Sequence, residues 1–339
     1  MKQTKWLVLI CLLANSLLAA GQAPVDSIKF FTDDKIIDMT LTTDIRKLQS
    51  EKRLGVYQDA SVVCRFPDST VISEAIRVGA RGHYRRENCN IPPIMVNFHN
   101  PTSPKLNQLG RLKLVIGCGT ANEDEQLILK EYLAYKIYNM LTEKSFRVRL
   151  LKVNYGDSRN RMKPFSQYAF LIEDDADLAA RNGCVKKDID VTSSERTDRA
   201  TMTMVAIFEY MISNGDWSVL NHNLKLMYDK NNQSALPFAI PYDFDHSGFV
   251  NAGYALPDES LGTETVTERV YRGHARNMEE LQAVLEIFRK QRENINSLIM
   301  NFTLLKERTR KETVEYLDDF YKTINNKNMV QLLFIDNAR

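Results

Sequence analysis

The chain has 339 residues, which is enough for one large domain or two of ordinary size. Hydrophobic residues make up 44% and charged residues 26%, a balance that is typical of globular proteins and excludes a disordered chain. The formal net charge of +2 gives no electrostatic reason to propose nucleic acid as a partner.

The first 21 residues predict an export signal. Lys2 and Lys5 form a basic start, and the apolar stretch that follows is shorter than a comfortable membrane span and leads into small residues. We expect cleavage to leave Gln22 as the first residue of a protein in the periplasm, the cell envelope or the extracellular space. A retained anchor is the alternative, and no other apolar run is long enough to span a membrane.

Four cysteines would remain after export: Cys64, Cys89, Cys118 and Cys184. An even number in an oxidising compartment permits two disulfides, and the sequence leaves their pairing open. Because no CxxC pair occurs, a zinc site is not favoured. Buried free thiols are the alternative interpretation.

The front of the chain predicts strands. Over residues 26–118, β-branched residues recur with partial alternation between turn signals. The segment 121–144 then predicts an amphipathic helix, with apolar residues at helical spacing along one face. Residues 145–155 and 166–175, separated by a polar loop, predict a β-hairpin.

The rear of the chain predicts mostly helices. Residues 198–215 predict a buried helix that ends at Gly215. Two short strands follow at 223–229 and 238–245, with a polar turn between them, and the tail 277–325 predicts helices. This order, without βαβ repetition, predicts an α+β fold.

Polar residues cluster around the two short strands. Asp216 follows the buried helix, and Asn221 and Asn223 come next, the second at the start of an apolar strand. The other strand delivers Asp243, with Asp245 just beyond it. Acidic and amide side chains therefore recur at the ends of neighbouring elements.

Phosphoryl transfer requires such a set. One carboxylate orients or deprotonates the incoming hydroxyl, and further oxygen ligands hold divalent cations on the phosphates. The order of Asp loop, Asn, strand, turn, strand and Asp matches the arrangement in protein kinases. For any single residue a turn is the better interpretation, but for the whole set we favour a metal–nucleotide site. His222 lacks the partner spacing of a zinc ligand and is expected to pack or cap.

Five segments of the chain carry a resemblance to a known family. They are VGARGHYRRENCNIPPIMVNF, KEYLAYKIYNML, YAFLIEDDADLAARNG, NGDWSVLNHNLKLMYD and PYDFDHSG. The chain resembles the secreted kinase-like proteins typified by the spore-coat protein CotH, and most closely the variant in envelope proteins of Bacteroides-type bacteria. The resemblance covers most of the predicted mature chain.

The resemblance implies an atypical protein-kinase-like fold of the α+β class, with a β-rich N-terminal part and a helical C-terminal part. The first part would span 22–173 and contain one central helix. The second would span 174–339 and carry the catalytic and metal loops.

The resemblance also implies ATP and Mg²⁺ as cofactors, with Mn²⁺ as an alternative metal. By position, Asp216 would be the catalytic carboxylate. Asn223 would be a metal ligand, with Asn221 in reserve. Asp243 would be the principal metal ligand and Asp245 a helper.

The chain departs from the family at the cation that steadies the phosphates. Typical relatives carry two lysines after the proline of the front segment, where this chain has IPPIM. We expect Lys113 to take that role and Glu131 of the central helix to pair with it, with Arg81 and Arg85 as alternative cations. Each of these side chains could instead be an ordinary surface charge.

These observations predict an exported kinase-like phosphotransferase that uses ATP and Mg²⁺ on a protein, a glycan or another envelope component. The missing lysine favours the alternative, a catalytically inactive, pseudokinase-type envelope protein for adhesion or assembly. GxSxG and HExxH are absent, which argues against an α/β-hydrolase and a zinc protease. The polar segment 251–277 is either a substrate lip or an ordinary long loop.

Overall fold

A computed structural model describes residues 27–119, 122–187, 193–220, 223–232 and 234–338. The predicted export signal, residues 1–21, lies outside these ranges, and so does the candidate ligand Asn221.

Seven strands build the front of the molecule. They are β1 (Ile37–Thr43), β2 (Tyr57–Arg65), β3 (Val71–Ala80), β4 (Ile94–Asn97), β5 (Arg111–Val115), β6 (Val148–Asp157) and β7 (Phe165–Ile172). They close into a barrel in the order β1-β2-β3-β4-β5-β7-β6. Neighbouring strands are antiparallel except β1 and β6, which run parallel. The β6–β7 pair confirms the predicted hairpin.

Alternating side chains fill the barrel. In β1, Ile37, Met39 and Leu41 are buried while the residues between them face outward. Ile72 and Ile76 of β3 follow the same period. These residues form one apolar cluster with buried residues of the other strands, so the interior of the barrel is a packed core.

The prediction of an atypical protein-kinase-like fold is wrong. A closed mixed barrel with a small sheet and helices beside it is a barrel-containing fold. The barrel closes where β1 pairs in parallel with β6, as Met39 does with Val153. Hydrophobic periodicity shows which face of a strand is buried but not which distant strand it pairs with, so the sequence could not reveal this closure.

The described helices are α1 (Ser27–Thr32), α2 (Ile45–Ser50), α3 (Tyr84–Asn88), α4 (Asn122–Leu141), α5 (Asp175–Arg181), α6 (Arg199–Ile212), α7 (Met278–Asn301), α8 (Glu307–Asn325) and α9 (Lys327–Gln331). Short 3₁₀ turns occupy Ser194–Arg196 and Glu259–Leu261, and a π-helical turn follows α9 at Leu332–Asp336. The predicted helices in 121–144 and 277–325 are confirmed. Within the described ranges, every helix falls short of the length or apolar character that a membrane span requires.

A second apolar core joins buried residues of α4, α6, α7 and α8, and α4 is central to it. Leu129, Leu133 and Ile137 of its predicted apolar face are buried, but Tyr138 and Glu131 are buried as well. The expectation of a single apolar face was too narrow, because the barrel packs on one side of α4 and α7 on another. Glu131, whose charged neighbours are Arg85 and Asp245, is a buried carboxyl and not a surface charge.

A small sheet prepares the candidate site. Strands β8 (Cys184–Val185), β9 (Leu224–Asp229) and β10 (Phe238–Pro241) are antiparallel, in the order β10-β9-β8. The two predicted short strands therefore pair with each other, although the second ends at Pro241. Their register places the start of β9 beside the end of β10, and Asn223 and Asp243 lie at these two ends.

The cysteines form a single bridge within the described structure. Cys89 is joined to Cys118, whereas Cys64 and Cys184 are buried free thiols. Both interpretations of the cysteines thus apply, each to one pair.

Candidate functional site

Asp216 lies on the loop between α6 and β9, and its side chain is exposed. Helix α6 ends at Ile212, before the predicted stop at Gly215, because Ser213 takes a left-handed conformation with a φ of 52°. The Asn223 carboxamide donates to the main-chain oxygen of Asp216 at 2.7 Å and to its Oδ2 at 3.1 Å. The loop therefore folds back, and Asn223 holds Asp216 in place.

Asp243 joins this pair from the end of β10. The Tyr242 N–H donates to the main-chain oxygen of Asn223 at 3.0 Å, which brings the next residue, Asp243, beside Asn223. Asp243 is half-buried, and its own N–H donates to the Tyr135 hydroxyl at 2.8 Å. Asn223 is thus hydrogen-bonded to Asp216 on one side and to Tyr242, the residue before Asp243, on the other.

The backbone at this junction is unusual. Asn223 has a φ of 54° and Asp243 a φ of 67°. A left-handed conformation costs most residues other than glycine about 1 to 2 kcal/mol, although Asn and Asp adopt it more readily than other types. Such conformations persist where surrounding contacts determine them, and they concentrate at ligand and catalytic sites.

Several charges surround Asp243. Burial and the neighbouring Asp245 raise the pKa of the Asp243 carboxyl, and Arg81, Arg85 and Lys113 oppose that rise. Three cations therefore act on one carboxyl. Phosphates bound by metal and basic side chains need this combination of charges.

Arg85, Glu131, Asp245 and Tyr254 form what we call the buried ion cluster. The Nη1 atom of Arg85 lies 3.7 Å from Oδ2 of Asp245 and 4.0 Å from Oε2 of Glu131. Tyr254 donates to Oδ2 of Asp245 at 3.0 Å. Asp245, predicted as a helper for metal, is thus already engaged by Arg85 and Tyr254.

Glu131 is the incomplete member of this cluster. It is 1% exposed, and neither of its carboxyl oxygens has a hydrogen-bond partner among the residues that the structure describes. Burial raises the pKa of Glu131 well above its ordinary value, and Asp245 adds to the rise, while Arg85 counteracts it. A buried carboxyl in this condition costs stability unless it is neutral or meets a further donor or cation.

A short helix and the disulfide place Arg85. Cys89 follows α3, and its N–H donates to the Arg85 oxygen at 2.9 Å. The bridge to Cys118 ties α3 to the segment after β5, where the Ile116 oxygen accepts from Nη2 of Arg85. From the sequence, Arg85 was predicted only as an alternative cation. The nearby Cys89 was the available signal, because a helix this short needs an external constraint to persist.

Lys113 points from β5 toward the small sheet. Burial, with Arg81 nearby, lowers the pKa of Lys113 to about 8. Its ammonium lies 4.5 Å from the ring centre of Tyr242, and the charge of Asp243 acts on it favourably. Lys113 therefore lies near Tyr242 and Asp243.

The expected pairing of Lys113 with Glu131 is wrong. The ion pair that Glu131 forms in the described structure is with Arg85, because α3 brings Arg85 over α4 while Lys113 faces Tyr242. Arg81, which follows β3, is half-buried, and its charge lowers the pKa of Glu131 as well as that of Asp243. Arg81 and Lys113 are thus the cations that border the site without entering the buried ion cluster.

The donor set suits a hard cation only in part. Among the described residues, no three His, Cys, Asp or Glu side chains form a metal centre by themselves. Magnesium commonly takes one or two protein carboxylates and completes its shell with waters and phosphate oxygens. The Asp243 carboxyl and the amide oxygen of Asn223 fit that pattern, provided that the ligand itself carries phosphates.

A cavity of about 260 Å³ adjoins Asp216. Its walls come from the Asp216 loop and from the segment 251–277, and include Asn214, Asp216, His246, Leu256, Leu261 and Thr265. That segment is anchored to the loop, since Arg272 donates to the oxygens of Gly215 and Trp217. The segment 251–277 thus forms one wall of a cavity that opens beside an exposed carboxylate.

A scan against protein-family models and a search of the curated proteins each find no match for this chain. The resemblance to CotH-type proteins stays a prediction. The chemistry of the site therefore rests on its own residues.

Proposed function

We propose that this site binds ATP with Mg²⁺ or Mn²⁺ and transfers the terminal phosphoryl group to a hydroxyl of a protein, a glycan or another envelope component. The observation that carries the proposal is the meeting of Asp216, Asn223 and Asp243 beside a group of cations. Function depends on the site and not on the fold class, so the proposal does not require a kinase-like fold.

The residues divide into three roles. Asp243 and Asn223 would hold the metal, which when bound would offset the negative charge on the phosphates. Lys113 and Arg81 would contact phosphate oxygens. Asp216, exposed beside the cavity, would take the proton of the acceptor hydroxyl as its oxygen bonds to phosphorus and the bond to ADP breaks.

The contacts of Asp216 support its role. Oδ2 accepts from the Asn223 carboxamide, which fixes the carboxylate relative to the metal ligands. The cavity next to Asp216 would admit the acceptor, with the segment 251–277 as its outer wall. The disulfide supports export, because such bridges persist mainly in oxidising compartments.

A second candidate is a non-catalytic envelope protein for adhesion or assembly. The position of Lys113 favours it, because the ammonium faces the ring of Tyr242 and does not form the Lys–Glu pair of active kinases. Binding and transfer must therefore be measured separately.

The test compares wild type with Asp243→Asn and Asp216→Asn, and with Asp38→Asn on the exposed face of β1 as a matched control. Thermal unfolding is followed with ATP and either Mg²⁺ or EDTA, and label transfer from γ-labelled ATP is followed with the protein alone and with an envelope extract. A ligand at a hundred times its dissociation constant stabilises by about 2.7 kcal/mol. We expect this gain for wild type with Mg²⁺ and its loss in Asp243→Asn.

Asp216→Asn should retain the stabilisation by ATP and lose transfer by about 10²-fold or more. Stabilisation without Asp216-dependent transfer would favour the non-catalytic candidate. If ATP with Mg²⁺ stabilises neither wild type nor the Asp38→Asn control, both the metal assignment and the phosphotransferase proposal fail.

A further inference from the structure

A buried carboxyl that the proposed chemistry does not use lies beneath the Asp216 loop. Glu209, on α6, is 1% exposed, and within the described part of the chain neither of its carboxyl oxygens has a well-formed hydrogen bond. Asn214 is 3% exposed, and its Nδ2 also has no partner in that part. The two residues are nevertheless in contact, since the Asn214 N–H donates to the Glu209 main-chain oxygen at 2.8 Å, and the Asn214 carboxamide is near enough to the Glu209 carboxyl to lower its pKa. A carboxyl and a carboxamide donor therefore lie near each other in a place where neither meets water.

Asn214 also contacts the loop above it. Its Oδ1 accepts from the Asp216 N–H at 3.1 Å, and its own N–H donates to the Glu209 main-chain oxygen at 2.8 Å. One carboxamide thus faces Glu209 with its nitrogen and holds Asp216 with its oxygen. The carboxamide is planar, so a rotation that improves one contact alters the other.

We propose that Glu209 is a positioning residue that acts through Asn214 to orient Asp216. When Glu209 is ionised, it draws Nδ2 of Asn214 into a full hydrogen bond and turns the carboxamide that holds the Asp216 N–H. When Glu209 is neutral, that pull is absent and the loop relaxes. The catalytic consequence rests on the proposed function, whereas the coupling between Glu209 and the loop does not.

The charge of Glu209 changes in an accessible pH range. Burial raises the pKa of Glu209 to about 8, Asp216 adds to the rise, and Asn214 and Arg272 oppose it. From α4, Tyr138 also faces Glu209, and burial raises the pKa of that tyrosine far enough to keep it neutral near pH 8. Arg272 stays charged throughout. Glu209 is therefore the group in this assembly that ionises near pH 8.

The chain contains its own reporter of the loop. Trp217 follows Asp216, is 6% exposed, and has the Arg272 guanidinium 5.0 Å from its ring centre. The sequence has two tryptophans, and the other, Trp6, lies in the predicted export signal. In a Trp6→Phe background, tryptophan fluorescence reports the Asp216 loop alone.

The experiment is a pH titration of Trp217 fluorescence in the full Trp6→Phe chain. We expect one transition with a midpoint near 8, the value to which burial raises the Glu209 pKa. Glu209→Gln should abolish the transition, and Glu279→Gln, on the exposed surface of α7, should leave it unchanged. Asn214→Ala keeps the buried carboxyl and removes the link, so it should also abolish the transition.

A flat titration in the Trp6→Phe protein, or an unchanged transition in Glu209→Gln or Asn214→Ala, overturns the inference. Asn214→Ala keeps the test decisive if Glu209→Gln does not fold. The rate of label transfer is a second readout, in which Glu209→Gln should remove the change near pH 8 while the affinity for ATP with Mg²⁺ stays unchanged. If no variant transfers label, the proposed function fails, and the titration still decides the role of Glu209.

Discussion

The two halves of the candidate site satisfy their polar groups in different ways. The loop half consists of Asp216 and Asn223. In it, the Asn223 carboxamide donates to the main-chain oxygen and to Oδ2 of the exposed Asp216. In the buried ion cluster, Arg85 pairs with two carboxylates, and no described residue donates a hydrogen bond to the oxygens of Glu131. The Asp216 carboxylate is thus exposed and hydrogen-bonded, whereas the Glu131 carboxyl is buried and has no hydrogen bond among the described residues.

This difference predicts that changes in the two halves affect different quantities, the free energy of unfolding and the rate of phosphoryl transfer. Charges removed from water are costly unless they are paired, so a change in the buried ion cluster should act first on stability. An exposed carboxylate held by hydrogen bonds contributes little to folding, so a change in the loop should act first on transfer.

The largest effect is expected for Arg85→Met. The change leaves Glu131 and Asp245 buried without their cation, and breaking a buried pair in this way costs about 3 to 5 kcal/mol. Arg53→Met is the matched control, since Arg53 forms an exposed ion pair with Glu87 and should cost at most about 1 kcal/mol. The free energy of unfolding in urea measures both variants. Equal losses in the two would break the contrast.

Removal of the disulfide by Cys89→Ser together with Cys118→Ser comes next. The bridge closes a loop with a sequence separation of 29, for which loss of the cross-link costs about 3 to 4 kcal/mol of chain entropy. The loss should also loosen α3 and reduce the affinity for ATP.

Urea unfolding of wild type with a reductant should reproduce the double variant, and the double variant should not respond to the reductant. A wild type that is equally stable with and without reductant would contradict the role given to the bridge.

Lys113→Met should stabilise the protein near neutral pH. Burial lowers the pKa of Lys113 to about 8, below the ordinary lysine value. The unfolded chain thus holds this proton more tightly than the folded chain does. The charged lysine therefore costs folding free energy below pH 8, and this cost disappears as pH rises through the ordinary lysine pKa. The free energy of unfolding of Lys113→Met should exceed that of wild type by at most about 3 kcal/mol at pH 7.

Unfolding at pH 7 and above pH 10, on either side of this window, checks the sign. Lys290→Met, on the exposed surface of α7, should show no such dependence. The same Lys113→Met variant should bind ATP more weakly. Higher stability together with full affinity for ATP would show that Lys113 does not contact the nucleotide.

The smallest effect on stability is expected at Asn223. Because its φ is 54°, Asn223→Ala should cost about 1 kcal/mol more than Asn223→Gly, which tolerates a left-handed backbone. Both variants lose the carboxamide that holds Asp216, so both should lose transfer to the same extent. Unfolding and label transfer measured side by side separate the two contributions, and equal stability of Ala and Gly would show that the conformation carries no strain.

The sequence was most informative where elements that meet are also neighbours in the chain. The hairpin β6–β7 and the pair β9–β10 follow from alternation and turn signals. Because β9 and β10 pair with each other, Asn223 and Asp243 had to lie close together. Asp216 lies only seven residues before Asn223, so the loop between them had only to fold back to bring the two together.

The sequence was less informative about contacts between distant segments. The parallel pairing of β1 with β6 overturned the kinase-like fold, and no local pattern predicts such a pair. The partner of Glu131 was also misassigned, because Arg85 reaches it through a helix held by a disulfide. Glu209 was read as part of a buried helix, with no sign that its carboxyl would lie next to Asn214.

The sequence by itself thus determined the main local elements and their order, and it placed Asp216, Asn223 and Asp243 near the ends of β9 and β10. These follow from periodicities and turns that act over a few residues. Only the tertiary structure decided that the front strands close into a barrel, that Arg85 pairs with Glu131, and that burial changes the pKa values of Glu131, Lys113 and Glu209. The physical reason is that burial and charge pairing depend on which distant segments pack together, and local patterns do not specify those partners.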